Sequence, residues 1–408
     1  MKQICTLLLF ALVLFACQKN DFQVVREEDA DFRDRLSDFQ EKQAVETYLN
    51  LKPASYVSAI PAYLKAVGMR DPVFSDEKVV LGRVLFYDKN LSRDRTISCA
   101  SCHKQARAFS DNVAFSTGIG GQLSQRNAMP LGNVSSFAAH YSAIGGQGPT
   151  LLWDHRAADV ATQASLAFSN TREMDLSMEE VSRRVTEQPY YAYLWKQAYG
   201  EFNVTEAKIL ECISEFVGAI RSNNSRFDQA LIQSSGNLNL TDTMVFNIYY
   251  GDTIGTTLPS LPPLSQQEFR GLRLFVDNCS KCHSPIRPFQ EVFMACNGLA
   301  KQYIDKGLGA ITGESTDEGV FKSPPLRNIA LTAPYMHDGR FKTLTEVVEF
   351  YNSQVQNHPN LHPFLRDETG DVKRLHLSDG QKKELVAFLH TLTDTYSTTD
   401  VRFSNPFK

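Results

Sequence analysis

Cys99-Ala-Ser-Cys102-His103 and Cys279-Ser-Lys-Cys282-His283 narrow what this chain can become more than anything else in it. Each is a CxxCH run, the spacing at which two cysteine sulfurs add to the vinyl groups of a c-type haem. The adjacent histidine then becomes the proximal iron ligand. Both runs sit in loop-to-helix contexts. The competing chemistry of a CxxC pair is zinc held by four thiolates, which leaves both histidines without a task. Two covalently bound c-type haems are therefore expected, one at each run.

Haem attachment of this type in bacteria takes place outside the cytoplasm, and the N-terminus agrees with export. Lys2 precedes a stretch from Ile4 to Ala16 that is apolar except for Cys5 and Thr6 and is too short to span a bilayer. It ends in Leu14-Phe15-Ala16-Cys17, which resembles a bacterial lipoprotein cleavage box. On that reading residues 1–17 are a signal peptide and Cys17 is the lipidated first residue of the mature chain. An ordinary secretory signal with a coincidental cysteine is the alternative. The expected location is the periplasm, or the outer membrane or cell surface, with contact to membrane only through the anchor. The charge-rich residues 18–55 read as a tether with one surface helix. The formal net charge is −4 over 408 residues and there is no basic stripe, which argues against nucleic acid as a partner.

Leu258-Pro-Ser-Leu-Pro-Pro-Leu264 cannot continue a helix and separates the two CxxCH runs. It predicts a haem domain over 56–257 and a second over 258–408. A short repeat supports one haem in each: Leu81-Gly-Arg-Val-Leu-Phe86 lies upstream of the first run and Gly271-Leu-Arg-Leu-Phe275 upstream of the second. Ser177-Met-Glu-Glu180 reads as a capping box ahead of a helix. Ile209, Leu210, Ile213, Phe216, Val217 and Ile220 mark a one-faced helix over 207–220. Ser378-Asp-Gly-Gln381 caps a last helix whose buried stripe is Leu385, Phe388, Leu389 and Leu392. Long alternating strand patterns are missing. The expected fold is mainly α, two cytochrome-c-like haem domains joined by the proline-rich connector.

With those elements in place, the chain resembles bacterial di-haem cytochrome c peroxidases. Leu81-Gly-Arg-Val-Leu-Phe-Tyr-Asp88, Leu91-Ser92, Ser98 to His103, Arg126-Asn127, Trp153-Asp-His-Arg156 and Glu173-Met174 carry the first half of the resemblance. Pro325-Leu-Arg-Asn328 and Ala333-Pro-Tyr-Met-His-Asp-Gly339 carry the second. The same superfamily includes the di-haem enzyme that matures methylamine dehydrogenase by oxidising tryptophans in a partner protein. The resemblance implies that hydrogen peroxide reacts at the His103 haem, with Glu173 as the acid/base group and Gln163 as its polar neighbour. It implies that Trp153, one of two tryptophans, relays electrons between the haems. It also implies a calcium ion held by the Asn127 side chain and by the backbone carbonyls of Thr332 and Pro334, a set of hard oxygen donors. The implied partner is a small electron-donor protein, a cytochrome c or a cupredoxin, and a homodimer is left open.

Two positions depart from the pattern. Ile119 stands where many of these enzymes carry a histidine that blocks the first iron, and isoleucine cannot ligate, so that haem is expected to be open at rest. His140 and His155 are the conceivable substitutes. Tyr351 stands where a methionine usually ligates the second haem from its far side, with Met336 as the alternative ligand. Tyrosinate is a hard anionic donor that lowers a haem's potential, and the maturation enzyme shares it. Cys212 and Cys296 are left over, either paired or as free buried thiols. His358, His362, His376 and His390 take no role. Peroxide reduction is the leading function. Its rivals are long-range oxidation of a protein or aromatic substrate, and electron transfer without catalysis.

Overall fold

A computed structural model describes residues 21–52, 54–56, 59–66, 71, 73–134, 151–237, 261–283 and 293–408. The expected signal segment with Cys17, His140 and the first part of the connector (258–260) lie outside the described residues.

The described helices are α1 (Asp21–Tyr48), α2 (Ala62–Ala66), α3 (Asp76–Tyr87), α4 (Cys99–Cys102), α5 (Val160–Ser169), α6 (Met178–Glu187) and α7 (Tyr191–Tyr199). They continue with α8 (Glu206–Ala219), α9 (Arg226–Asn237), α10 (Gln266–Asn278), α11 (Gly309–Thr312), α12 (Leu344–Glu349), α13 (Asp379–Thr391) and α14 (Tyr396–Thr399). Strand content among the described residues is one short antiparallel pair, β1 (Met294–Ala295) with β2 (Phe321–Lys322). The mainly α expectation therefore holds.

The helix starts follow from local chemistry. Ser265 and Glu268 form a reciprocal capping box on α10, and Ser378 with Gln381 does the same for α13. The box expected at Ser177 is only half formed. Ser177 accepts from the Glu180 backbone, but the Glu180 carboxylate turns instead to Arg183 and Arg184. Two guanidiniums within one turn outcompete a single backbone N–H for a carboxylate.

The sequence repeat marks two equivalent helix crossings. In the first, α3 packs on α8 so closely that a Cβ on Gly82 would lie 1.8 Å from the Cys212 carbonyl oxygen. In the second, α10 packs on α13, and a Cβ on Gly271 would lie 1.9 Å from the Glu384 carbonyl oxygen. Only glycine permits this approach. One turn further on, Phe86 meets Phe216 at 5.1 Å between ring centres, and Phe275 meets Phe388 at 5.2 Å. The glycine lets the backbones touch and the phenylalanine four residues later fills the space where they diverge.

Each crossing anchors a separate apolar core, and the cores exchange segments across the expected boundaries. Val45 and Leu49 at the end of α1, together with Phe403 near the C-terminus, belong to the first core. Ile60, Tyr63, Leu64, Phe227 and Leu231 belong to the second. The N-terminal extension is therefore more than a solvated tether: its last helical turn is core, and the Asn50 amide donates to the Pro406 carbonyl. The Arg327-Asn328 pair has a structural role at this exchange. Arg327 pairs with Asp228 of α9, both buried, while Asn328 bonds to Ser222 and accepts from the Asp394 amide.

Candidate active site

Each CxxCH run opens onto a cavity, and the two cavities share a wall. Cys102 and His103 lie on the first, together with Arg126, Asn127, Trp153, Arg156, Gln163, Asn170, Glu173 and Lys322. His103 caps the C-terminal end of α4, and its Nδ1 sits 2.7 Å from the Phe109 carbonyl oxygen. The chain can return a carbonyl to that ring because Ala108 and Phe109 both adopt left-handed backbone angles. An Nδ1–H donated to a carbonyl fixes the tautomer and leaves the Nε2 lone pair for iron. Burial disfavours the imidazolium here and so keeps that lone pair available.

Glu173 follows α5, and its Oε1 accepts from the Asn170 amide at 2.7 Å. Its backbone is pinned by the Ile119 N–H, which donates to the Glu173 carbonyl at 3.0 Å. The close approach depends on Gly118, where a Cβ would fall 2.0 Å from the Arg172 carbonyl oxygen. Burial raises the Glu173 pKa, against the opposing pull of Asn170 and Arg156. A carboxyl whose hold on a proton is strengthened by burial is suited to taking up and returning one. Ile119 is buried at 1 % exposure and is absent from the residues that line the cavity.

The second cavity is bounded by Cys279, Cys282, His283, Asn297, Met336 and Tyr351, with Asn127, Thr332 and Pro334 also on its wall. His283 repeats the arrangement of His103: its Nδ1 lies 3.1 Å from the Pro324 carbonyl oxygen, and burial lowers its pKa from 6.5 to about 4. Both candidate far ligands, Tyr351 and Met336, thus face the same space as His283. Burial pushes the Tyr351 phenol up to about 12, partly offset by a hydrogen bond from Asn297. The Asn127 side-chain NH2 donates to the carbonyls of Val113 and Ala114 at 3.1 and 3.3 Å, leaving its Oδ1 as an acceptor.

Trp153 lines both cavities. Its indole N–H donates to the Asn127 carbonyl at 2.9 Å, and its own carbonyl accepts from the Lys322 amide of β2 at 2.8 Å. Arg126 adds an ionic clasp between the halves, reaching Asp305 at 2.6 Å and Asp154 at 2.5 Å.

The donor set fits haem better than a metal alone. Among the described residues no group of three or more His, Cys, Asp and Glu gathers as a metal-ion cluster, so the four-thiolate zinc alternative finds no support. Each CxxCH run instead borders a cavity, with its histidine Nδ1 turned to a backbone carbonyl.

Other residues read differently from the sequence. His155 is buried, borders neither cavity, and so does not substitute for the missing blocking histidine. Cys212 and Cys296 are free thiols, the first beside Tyr199 in the first core and the second beside Tyr303. His362, given no role, borders the second cavity with Phe364. Asn170, Lys322 and Asn297 carry no motif and were legible only once the fold had brought them to the cavities. Among the described residues no helix is long and apolar enough to cross a membrane.

Comparison with known proteins gives the same picture. Residues 76–235 match the family model described as di-haem cytochrome c peroxidase. The methylamine utilization protein MauG of Paracoccus denitrificans is 30% identical over 371 residues, covering 78% of this chain and 89% of that one. Cytochrome c551 peroxidase of Nitrosomonas europaea is 30% identical over 318 residues, covering 77% and 79%. A crystal structure of a MauG-like protein associated with microbial copper homeostasis superposes with a TM-score of 0.64 at 28% identity, over 88% of this chain and 99% of that one. With two haem cavities, two CxxCH runs and these relatives, the chain belongs to the di-haem cytochrome c peroxidase/MauG family, whose members carry two c-type haems.

Proposed function

We propose that this chain reduces hydrogen peroxide to water at the haem held by Cys99, Cys102 and His103, using electrons that arrive through the haem held by Cys279, Cys282 and His283. The observation that carries this reading is the meeting of Glu173, Gln163 and Trp153 on the wall of the His103 cavity. One peroxide, two electrons and two protons give two waters. The bound haem supplies the iron and the oxidising capacity for the O–O cleavage.

The protein's share is proton handling, orientation and electron passage. Glu173 takes the proton from one peroxide oxygen and returns it to the other, a role suited to a carboxyl whose pKa burial has raised. Asn170 holds the Glu173 oxygen, and Gln163 offers an amide to the same space. Trp153, touching both cavities, is the side chain through which electrons cross. Tyr351 would help hold the second haem, with Met336 as the alternative, since both line the cavity beside His283. Asn127, Thr332 and Pro334 hold calcium between the halves. The donor is a small cytochrome c or cupredoxin, and the chain works outside the cytoplasm, anchored through Cys17.

A second reading, oxidation of a protein or aromatic partner at long range, is favoured by Tyr351, since an anionic oxygen donor makes a poor electron-accepting site. Glu173→Gln tests the first reading. Peroxide turnover with a reduced cytochrome c is expected to fall about 10²- to 10⁴-fold at unchanged haem content. Unchanged turnover would remove Glu173 from the reaction.

A further inference from the structure

The two candidate far ligands of the second haem are joined by one residue that belongs to no motif. Asn297 lies just beyond β1, and its side-chain Nδ2 is 3.4 Å from the Tyr351 hydroxyl oxygen and 3.7 Å from the Met336 sulfur. Which end of an amide faces which way is decided by its partners. Here the Asn297 Oδ1 accepts from the Leu299 backbone N–H at 3.2 Å and from the Tyr303 hydroxyl at 3.4 Å. Tyr303 is itself held, since its oxygen accepts from the same Leu299 N–H at 2.7 Å. A backbone N–H can only donate, so the oxygen end must point to it. The NH2 end is thereby committed to Tyr351 and Met336.

We propose that Asn297 is a positioning residue for the far ligand of the second haem: its fixed amide donates to the Tyr351 oxygen and to the Met336 sulfur at once. The inference rests on Tyr351 being that ligand. A hydrogen bond to a phenolate oxygen draws electron density away from the metal, so Asn297 makes the tyrosine a weaker donor than an unbonded one. At Met336 the same amide engages one of the sulfur's two lone pairs and so competes with iron ligation there, whereas a phenolate oxygen keeps lone pairs to spare.

The test compares the haem-loaded parent with Asn297→Leu, Asn297→Ala and Tyr351→Phe, each checked for two haems per chain. The readouts are the tyrosinate charge-transfer band, the EPR signature and the midpoint potential of the second haem. Both Asn297 variants are expected to move the band to longer wavelength and to lower the potential, and Asn297→Gln, which keeps an amide donor, to move both less. If Tyr351→Phe alters the signature while Asn297→Leu and Asn297→Ala leave band and potential at the parent's values, the Asn297 inference is overturned alone. If Tyr351→Phe changes nothing, the tyrosine assignment fails and this inference with it. Should Asn297→Leu fail to retain haem, Asn297→Ala carries the same comparison without added bulk.

Discussion

His155 offers a sharp pH-dependent test of the packing around its buried ring. The ring is 7 % exposed, its Nε2 has no hydrogen-bond partner among the described residues, and its backbone holds φ at +60°. Burial lowers its pKa from 6.5 to about 4, helped by the Lys322 cation and opposed by Asp154. The folded state therefore binds this proton less readily than the unfolded chain does. Above pH 6.5 both states carry a neutral ring and nothing is lost. As pH falls through 6.5 towards about 4, the unfolded chain takes up the proton first and stability declines. The full separation corresponds to about 3 kcal/mol, which local relaxation and water entry reduce to about 1–2 kcal/mol. His155→Gly removes the titration and also relieves a left-handed backbone angle worth about 1 kcal/mol to a non-glycine residue. The assay is urea unfolding of the haem-loaded parent and variant at about pH 7.5 and about pH 4.5. The variant should lose about 1–2 kcal/mol less than the parent on acidification. Acid-sensitive groups away from His155, the proximal histidines included, are common to both proteins and cancel; Lys322, whose own pKa burial lowers to about 7, is charged at the acid end in both. Equal acid losses in the two would refute a buried neutral His155.

Three further outcomes follow from named contacts. Gly82→Ala and Gly271→Ala should each destabilise by about 3 kcal/mol or more, since both place a Cβ within 2 Å of a facing carbonyl, and thermal unfolding would show it. A marked difference between them would deny that the two crossings are equivalent. Calcium removal by a chelator should lower the melting temperature and be reversed by added calcium, with Asn127→Ala insensitive to the treatment; a parent that is itself insensitive would remove the calcium proposal. In the oxidised protein the first haem should give a high-spin signal, because Ile119 offers no ligand, and Ile119→His should convert part of it to low spin. A purely low-spin bis-histidine spectrum in the parent would contradict an open first site.

What could be read from the chain alone was whatever short-range chemistry encodes. A CxxCH run carries its cofactor in five residues, and a proline-rich connector stops a helix wherever it falls. The glycine–phenylalanine repeat was visible as a repeat, but its reason was not: the carbonyls that forbid a Cβ come from Cys212 and Glu384, more than a hundred residues away. The half-formed cap at Ser177 shows a local rule losing to stronger partners one turn on. The exchanged core segments escaped notice because Phe403 and Ile60 look like ordinary apolar residues in either half. Asn170 and Asn297 escaped for the same reason. An asparagine has no signature until the fold puts its amide against Glu173 or Tyr351.

The central claim is that the two haem sites are unequal, the first open and provided with Glu173, the second closed by a far ligand. Mixing the fully oxidised, haem-loaded protein with hydrogen peroxide in a stopped-flow spectrometer tests it most directly. The account predicts a rapid absorbance change at the first haem with no prior reduction, slowed in Glu173→Gln. Absence of any change until one electron has been added to the second haem would contradict it.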